Sequence, residues 1–540
     1  MRPAPASALH RPYRPGVRSL RARLSNSRPA FSRLERVLWL LLTIAAFACR
    51  ASAQAPAPAT SKTPAHTPSA PQISPGEAAL DRIKVPPLPA FHPQEPQRIE
   101  LANGLVIFLQ PDHELPLITG IARIRGGARS VPADKTGMMD LYGEVWRTGG
   151  AKTRTGDQLD DYLEARAAKI ETDALPDSTV ITFNCLKPDL DNVFAAFLEL
   201  LREPAFREDK LDVARQQMYS LIARRNDDTE SIAGRESVKL AYGNDNPYAR
   251  VAEYSTVAAV TREDLLAWHA RYLQPGNLII GMVGDFEPRA MEAKLRQTFE
   301  SWPKAPVAEK PAIEFTPAKP GYYFVDKEDV NQSSVHLVGV GIRRDNPDYY
   351  AIQVMNEILG GGFSSRLFQE IRSKLALAYS VGGGVGSSWD HPGLKQFSLG
   401  TKSASTAQAI RAVRQELEGM VTRPPSADEM KQAKDAILNS FIFNFDSHEK
   451  VLLERMRYEF YGYPPDFLER YRAGIEKVAA DDVTRVARKY LHPDELAVLI
   501  VGNSSELGDQ LKGLGQVTNI DITIPPPPGM PAGQPAAPGK

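Results

Sequence analysis

Apolar residues in the segment GMMDLYGEVWRTGG, residues 137–150, recur as Met138, Leu141, Tyr142, Val145 and Trp146. Positions i, i+3, i+4, i+7 and i+8 form one face of an α-helix, so the spacing predicts a short amphipathic helix stopped by Gly149 and Gly150. The opposite face carries Asp140 and Glu144, one turn apart. Between them stands Gly143, which costs about 1 kcal/mol against alanine in a helix interior. A helix that only filled a core would be better served by alanine there. The same apolar face returns as Ala351, Val354, Met355, Ile358 and Leu359, followed by Gly360, Gly361 and Gly362.

A longer correspondence supports this one. The segment VTREDLLAWHARYLQPGNLIIGMVGDF (260–286) matches VAADDVTRVARKYLHPDELAVLIVGNS (478–504) without a gap: Asp264 pairs with Asp482, Tyr272 with Tyr490, Pro275 with Pro493 and Gly284 with Gly502. Each copy reads as an amphipathic helix, a proline-marked turn and a buried strand. The spacing is too wide for a solenoid. The pattern predicts a duplicated domain, each half an α+β layer of strands and long amphipathic helices.

Composition sets the boundaries. Of 540 residues 42% are hydrophobic, ample for a core, and 65 basic residues balance 65 acidic ones, so charge gives no sign of nucleic-acid binding. Residues 1–36 hold nine arginines and one acid, and Val37–Cys49 is an apolar run with only Thr43 polar. That length suits a signal-peptide core and is short for a membrane span; Ala51-Ser52-Ala53 offers a cleavage site before Gln54. A mitochondrial transit peptide is the rival, but those are amphipathic and lack a solid apolar block. The expected layout is a signal peptide over 1–53, a Pro/Ala-rich spacer over 54–94, a first domain over 95–301 and a linker over 302–320. A second domain over 321–510 and a proline-rich tail over 511–540 complete it. Cys185, in STVITFNCLK, alternates with apolar residues as a buried strand residue does; Cys49 lies in the leader, so no internal disulfide is expected in the exported chain.

Several segments resemble the pitrilysin/insulinase metallopeptidases, the family that includes mitochondrial processing peptidase. LANGLVIFLQPDHELPLI (101–118) is similar to the family's first strand pair and RGGARSVPADKTG (125–137) to the approach to its active-site helix. YGNDNPYAR (242–250) and LGGGFSSRLFQEIRSKLALAYSV (359–381) resemble it more closely still. The resemblance implies two homologous halves, each a mainly antiparallel sheet packed with helices, forming a clam-like shell. Active members carry H-x-x-E-H on the first helix, two zinc ligands with a glutamate that activates the metal-bound water. Here the ligand positions hold Asp140 and Glu144, and Gly143 stands where that glutamate would be. The third ligand, a downstream glutamate, falls on Leu221 when anchored on RRNDDTE (224–230), and an acidic position earlier on the same helix falls on Ala214. Leucine binds no metal and glycine takes no proton. Asp140 and Glu144 read either as a polar helix face or as a weak hard-cation pair, not as a catalytic zinc site.

The second half departs less. The resemblance implies an arginine and a tyrosine, seven residues apart, that hold substrate and stabilise the oxyanion, and Arg372 and Tyr379 stand at that spacing. The plain alternative is a helix-end arginine and a tyrosine that starts a strand. Taken together these residues predict an exported chain, periplasmic or extracellular, with no catalytic residues of its own and no bound metal or cofactor. It would be the non-catalytic subunit of a heterodimer, supplying Arg372 and Tyr379 to a zinc-bearing family partner that cleaves peptides. Membrane attachment would require lipid modification of Cys49. The rival function is a proteolytically inactive scaffold like the core subunits of the respiratory bc1 complex.

Overall fold

A computed structural model describes residues 93–529; the expected leader, most of the spacer and the chain's last residues lie outside them. The first half contributes β1 (Gln97–Glu100), β2 (Val106–Pro111), β3 (Leu117–Arg125), α1 (Met138–Thr148), α2 (Gly156–Glu164), β4 (Lys169–Ala174) and β5 (Ser178–Leu186). It continues with α3 (Leu190–Arg202), α4 (Glu208–Arg224), α5 (Thr229–Tyr242), α6 (Tyr254–Ala258), α7 (Arg262–Tyr272), β6 (Leu278–Gly284) and α8 (Pro288–Phe299). The second half contributes β7 (Gly321–Asp326), β8 (Gln332–Val340), β9 (Ile342–Arg343), α9 (Tyr349–Gly360), β10 (Ala378–Ser388) and β11 (Pro392–Lys402). Helices α10 (Thr406–Thr422), α11 (Ala427–Phe441), α12 (His448–Tyr461), α13 (Phe467–Lys477) and α14 (Ala480–Tyr490) precede β12 (Ala497–Gly502) and β13 (Val517–Asn519).

The duplication predicted from sequence appears in the sheets. The first runs β1-β2-β6-β3-β5-β4 and the second β13-β7-β12-β8-β11-β10-β9. Without the outermost β1, β9 and β13 the two orders are the same. Within that shared order each has one parallel pair, β2 with β6 and β7 with β12, and is otherwise antiparallel; β9 and β13 join the second sheet in parallel. The fold is α+β. The segment expected to be a first strand pair is not a hairpin: β6 lies between β2 and β3 and bonds both.

The halves exchange helices. Along β2, Ile107 and Leu109 face the core of their own half, while Val106 and Phe108 face Leu452, Met456 and Phe460 of α12. Reciprocally, Ile232, Ala233 and Leu240 of α5 pack on Val325, Val338, Leu499 and Val501 of the second sheet. With both faces covered, β6 and β12 read as continuous apolar runs, LIIGMVG and AVLIVG. Gly281 marks how close the exchange is: a Cβ there would stand 2.4 Å from Met456 Sδ.

Two segments taken as connectors are docked. In the linker, Thr316 N and Ala318 N donate to Tyr242 O and Leu240 O, capping the C-terminal end of α5. Residues 511–519, assigned to the tail by composition, instead finish a helix and add β13 beside β7. The backbone continues past β13, with Ile520 and Ile522 against the α5 cluster and Ile524 against the first-half core.

Candidate functional site

Helix α1 is fixed from behind. Met138, Leu141, Tyr142, Val145 and Trp146 are all buried, as the periodicity predicts. Trp146 Nε1 donates to Leu200 O at 2.9 Å. Tyr142 Oη lies 2.7 Å from His269 Nδ1, and His269 Nε2 lies 2.8 Å from Leu201 O. Because the carbonyl can only accept, Nε2 carries the ring proton and Nδ1 accepts from the tyrosine.

Asp140 and Glu144 point away from this core and are exposed. Asp140 is reachable by solvent but enclosed by protein, and that desolvation raises its carboxyl above the ordinary value, Asp173 of β4 adding repulsion. Neither acid has an ion-pair partner among the described residues. Gly143 is buried against β4. Thr172 Oγ1 donates to Gly143 O at 2.6 Å, and a Cβ on Gly143 would lie 3.1 Å from Ala174 N and 3.3 Å from Ala174 Cβ. The strand therefore lies against the position where an active member has its glutamate. Leu221, on α4, is 72% exposed, and Ala214 is buried. Two carboxylates without an imidazole, a base or a third ligand do not fit catalytic zinc, and among the described residues no group of three or more His, Cys, Asp or Glu is placed to hold a metal ion.

The second half presents a different surface. After α9 and its glycines, Phe368–Lys374 winds as a π-helix and Ala376 takes a left-handed φ of +52° before β10 begins. Such wide turns are common at functional sites. Here the geometry brings Arg372 and Tyr379 together: the guanidinium carbon lies 5.2 Å from the Tyr379 ring centre and 4.7 Å from that of Phe368. Tyr379 is 79% exposed and Phe363 76%. Arg372 has no carboxylate partner among the described residues and Tyr379 Oη no hydrogen bond, so their donors are uncommitted. The flanking Phe363 and Phe368, edge to face at 5.0 Å, were missed from sequence; their signal was two aromatics in an otherwise polar, glycine-led segment.

Among the described residues no hydrogen bond or ion pair joins Arg372 or Tyr379 to Asp140 or Glu144. The halves are tied elsewhere. Arg129, in the approach to α1, ion-pairs with Asp390 and donates to Tyr248 Oη at 3.1 Å, and Tyr461 donates to Asp177. His391 bonds Asp390 at 2.9 Å and stacks on Tyr248 at 3.9 Å. Asp390 is held at about 2, burial opposing and His391 and Arg129 outweighing it.

Comparison with known proteins agrees with this frame. Residues 123–249 match the family described as insulinase (peptidase family M16), and residues 259–437 match the peptidase M16 inactive domain. A Helicobacter pylori protein named non-peptidase homolog YmxG is 24% identical over 418 residues, covering 76% of this chain and 94% of its own. A Rickettsia felis protein named uncharacterized zinc protease is 23% identical, covering 72% and 93%. In fold, a crystal structure of a peptidase M16 inactive domain from Pseudomonas fluorescens matches with a TM-score of 0.67 at 24% identity, over 76% of this chain and 98% of that one. With the frame of the zinc helix present and its ligands absent, the chain belongs to the insulinase family of metallopeptidases, family M16, as an inactive member.

Proposed function

We propose that this chain is the exported, non-catalytic subunit of a two-chain peptidase, lending Arg372 and Tyr379 to the site of a zinc-bearing M16 partner. The observation that carries the reading is the asymmetry between the halves. The zinc positions hold residues that cannot do the chemistry, while Arg372, half-buried, and Tyr379, exposed, stand together with their hydrogen-bond donors unused among the described residues. A planar guanidinium and a phenol suit a peptide carbonyl and the oxyanion that forms from it. A pure scaffold, the second reading, gives no reason for that pair to remain uncommitted at the surface.

The test is to co-purify the mature chain, expected to begin at Gln54, with a zinc-bearing family member and to measure peptide turnover. Alone, the mature chain should hold no stoichiometric zinc. Arg372→Ala and Tyr379→Phe should leave the complex assembled but slow it roughly a hundred- to a thousand-fold, the usual cost of one oxyanion donor. Arg372→Lys should rescue only in part, since a point charge does not reproduce the fork. Unchanged turnover in all three variants, or failure of any family member to associate, would refute this reading in favour of the scaffold.

A further inference from the structure

The pseudo-repeat puts a second groove in the C-terminal half, one the proposal above does not use. Aligning the apolar faces of α1 and α9 sets Gln353, Asn356 and Glu357 at the positions of Asp140, Gly143 and Glu144. These three line a cleft of about 460 Å³. Gly383, Gly384 and Gly386 of β10 and Gln396 and Ser398 of β11 also line it, with Leu394 and Ile437 as its apolar members. Asn356 is spent on the strand: its amide donates to Val385 O at 3.0 Å and accepts from Val385 N at 2.9 Å. Gln353, Glu357, Gln396 and Ser398 are half-buried, yet none has a side-chain hydrogen bond among the described residues.

Glu357 carries the argument. It lies in the last turn of α9, where the exposed carbonyls disfavour negative charge. Its carboxylate folds back over Gly361, where a Cβ would stand 2.4 Å from Oε2. No lysine, arginine or histidine pairs with it among the described residues, and burial alone raises its pKa. The titratable group facing it from α13 is Tyr471, which supplies no positive charge. A half-buried carboxylate with no counter-ion, at the unfavourable end of a helix and beside three uncommitted hydrogen-bonding side chains, is completed by a cation that brings its own donors.

We propose that the Glu357 groove binds a primary ammonium group carried on an extended peptide, the lysine side chain reaching Glu357. An ammonium has three donors, and the carboxylate with Gln353, Gln396 and Ser398 offers acceptors for them. Neither Arg372 nor Tyr379 lines this groove, so the two proposals are tested by different variants and fail separately.

The mature chain is titrated with fluorescently labelled, doubly capped alanine–serine decapeptides bearing one central lysine or one norleucine, read by anisotropy at low salt. The lysine peptide should bind about tenfold tighter or more, the worth of a charge-assisted hydrogen bond. Glu357→Gln, isosteric and uncharged, should abolish that preference, and n-butylamine should compete only weakly because it lacks the backbone. Should Glu357→Gln melt early, Ser398→Leu fills the groove from β11 without touching α9 and carries the same expectation. Equal binding of the two peptides, a lysine preference that survives both substitutions, or n-butylamine competing as well as the peptide would overturn the proposal.

Discussion

His269 gives the first half an acid-sensitive support within a defined window. The imidazole is buried with both nitrogens committed, Nε2 to Leu201 O and Nδ1 to Tyr142 Oη, so a second ring proton would break the bond that Nδ1 accepts from Tyr142 and place a charge in the core. Burial lowers its pKa from 6.5 to about 4. In the unfolded chain the group titrates near its ordinary value, about 6.5. Between those values the unfolded state holds more protons, so stability rises with pH there. The contribution is complete above about 6.5 and is lost as the pH falls towards 4. A difference of about 2.5 pH units at 1.36 kcal/mol each gives about 3 kcal/mol, a large part of the roughly 5–15 kcal/mol that holds a domain together. The assay is urea unfolding at pH 7 and at pH 4.5, followed by tryptophan emission, since Trp146 packs edge-on against His269 at 5.5 Å. His269→Gln retains a donor towards Leu201 O but no ring to protonate, and should lose correspondingly less stability across the same interval. His336, also lowered by burial, titrates in both proteins and cancels in the comparison. If His269→Gln loses as much as the unmodified chain, the assignment of this acid sensitivity to His269 is wrong.

Three further outcomes test the packing. Leu452→Ala, at a fully buried position of α12, should cost about 2–5 kcal/mol, and its loss of hydrogen-exchange protection should appear in β2 and β6 of the opposite half; a change confined to the second sheet would contradict the exchange of helices. Gly143→Ala should be nearly neutral, since the gain of about 1 kcal/mol in helix propensity offsets the close approach to Ala174. Gly143→Glu should destabilise by about 1–3 kcal/mol through overpacking against β4, measured by the same urea titration.

Much of this was legible in sequence because it is local. The apolar spacing of Met138 to Trp146 and of Ala351 to Leu359 identifies the buried face of each helix, and the gapless match of 260–286 with 478–504 reports a duplicated helix–turn–strand unit. The pairing of Arg372 with Tyr379 came from the resemblance of residues 359–381 to a known motif, since their spacing alone fits a helix-end arginine and a strand-start tyrosine equally well. What was hidden is long-range or conformational. Ile232, Leu240, Leu452 and Met456 are buried in the structure, but nothing local in the sequence says that α5 and α12 cover the opposite half's sheet. Arg129 and Asp390 are distant in sequence and carry no pattern that pairs them. The π-helix over Phe368–Lys374 has no periodicity distinct from an α-helix at that length, so the stacking of Arg372 between Phe368 and Tyr379 could not be read. Val517–Asn519 was masked by the proline-rich composition that follows it.

The two copies of the zinc-helix frame also explain why inactivity here is more than missing side chains. In each half a helix runs against the last strand of the shared order, α1 on β4 and α9 on β10. The contact is made by the residue at the same helical position. In the first half that residue is Gly143, and the absence of a side chain lets the backbone at Ala174 come within 3.1 Å of where a Cβ would be. In the second half it is Asn356, whose amide satisfies both polar groups of Val385 as a neighbouring strand would. Either way, the space a general base would need is taken up by contact with the strand. Returning histidines to positions 140 and 144 would add ligands without a base, and adding a glutamate at 143 would meet β4 before it met any water. The outward-facing residues of each frame stay polar and unpaired, at Asp140 and Glu144 and at Gln353 and Glu357. The packing that closes off hydrolysis thus leaves both faces chemically able to bind, and the half-buried, cation-free carboxylate of Glu357 makes the second face the one with the stronger call on a ligand.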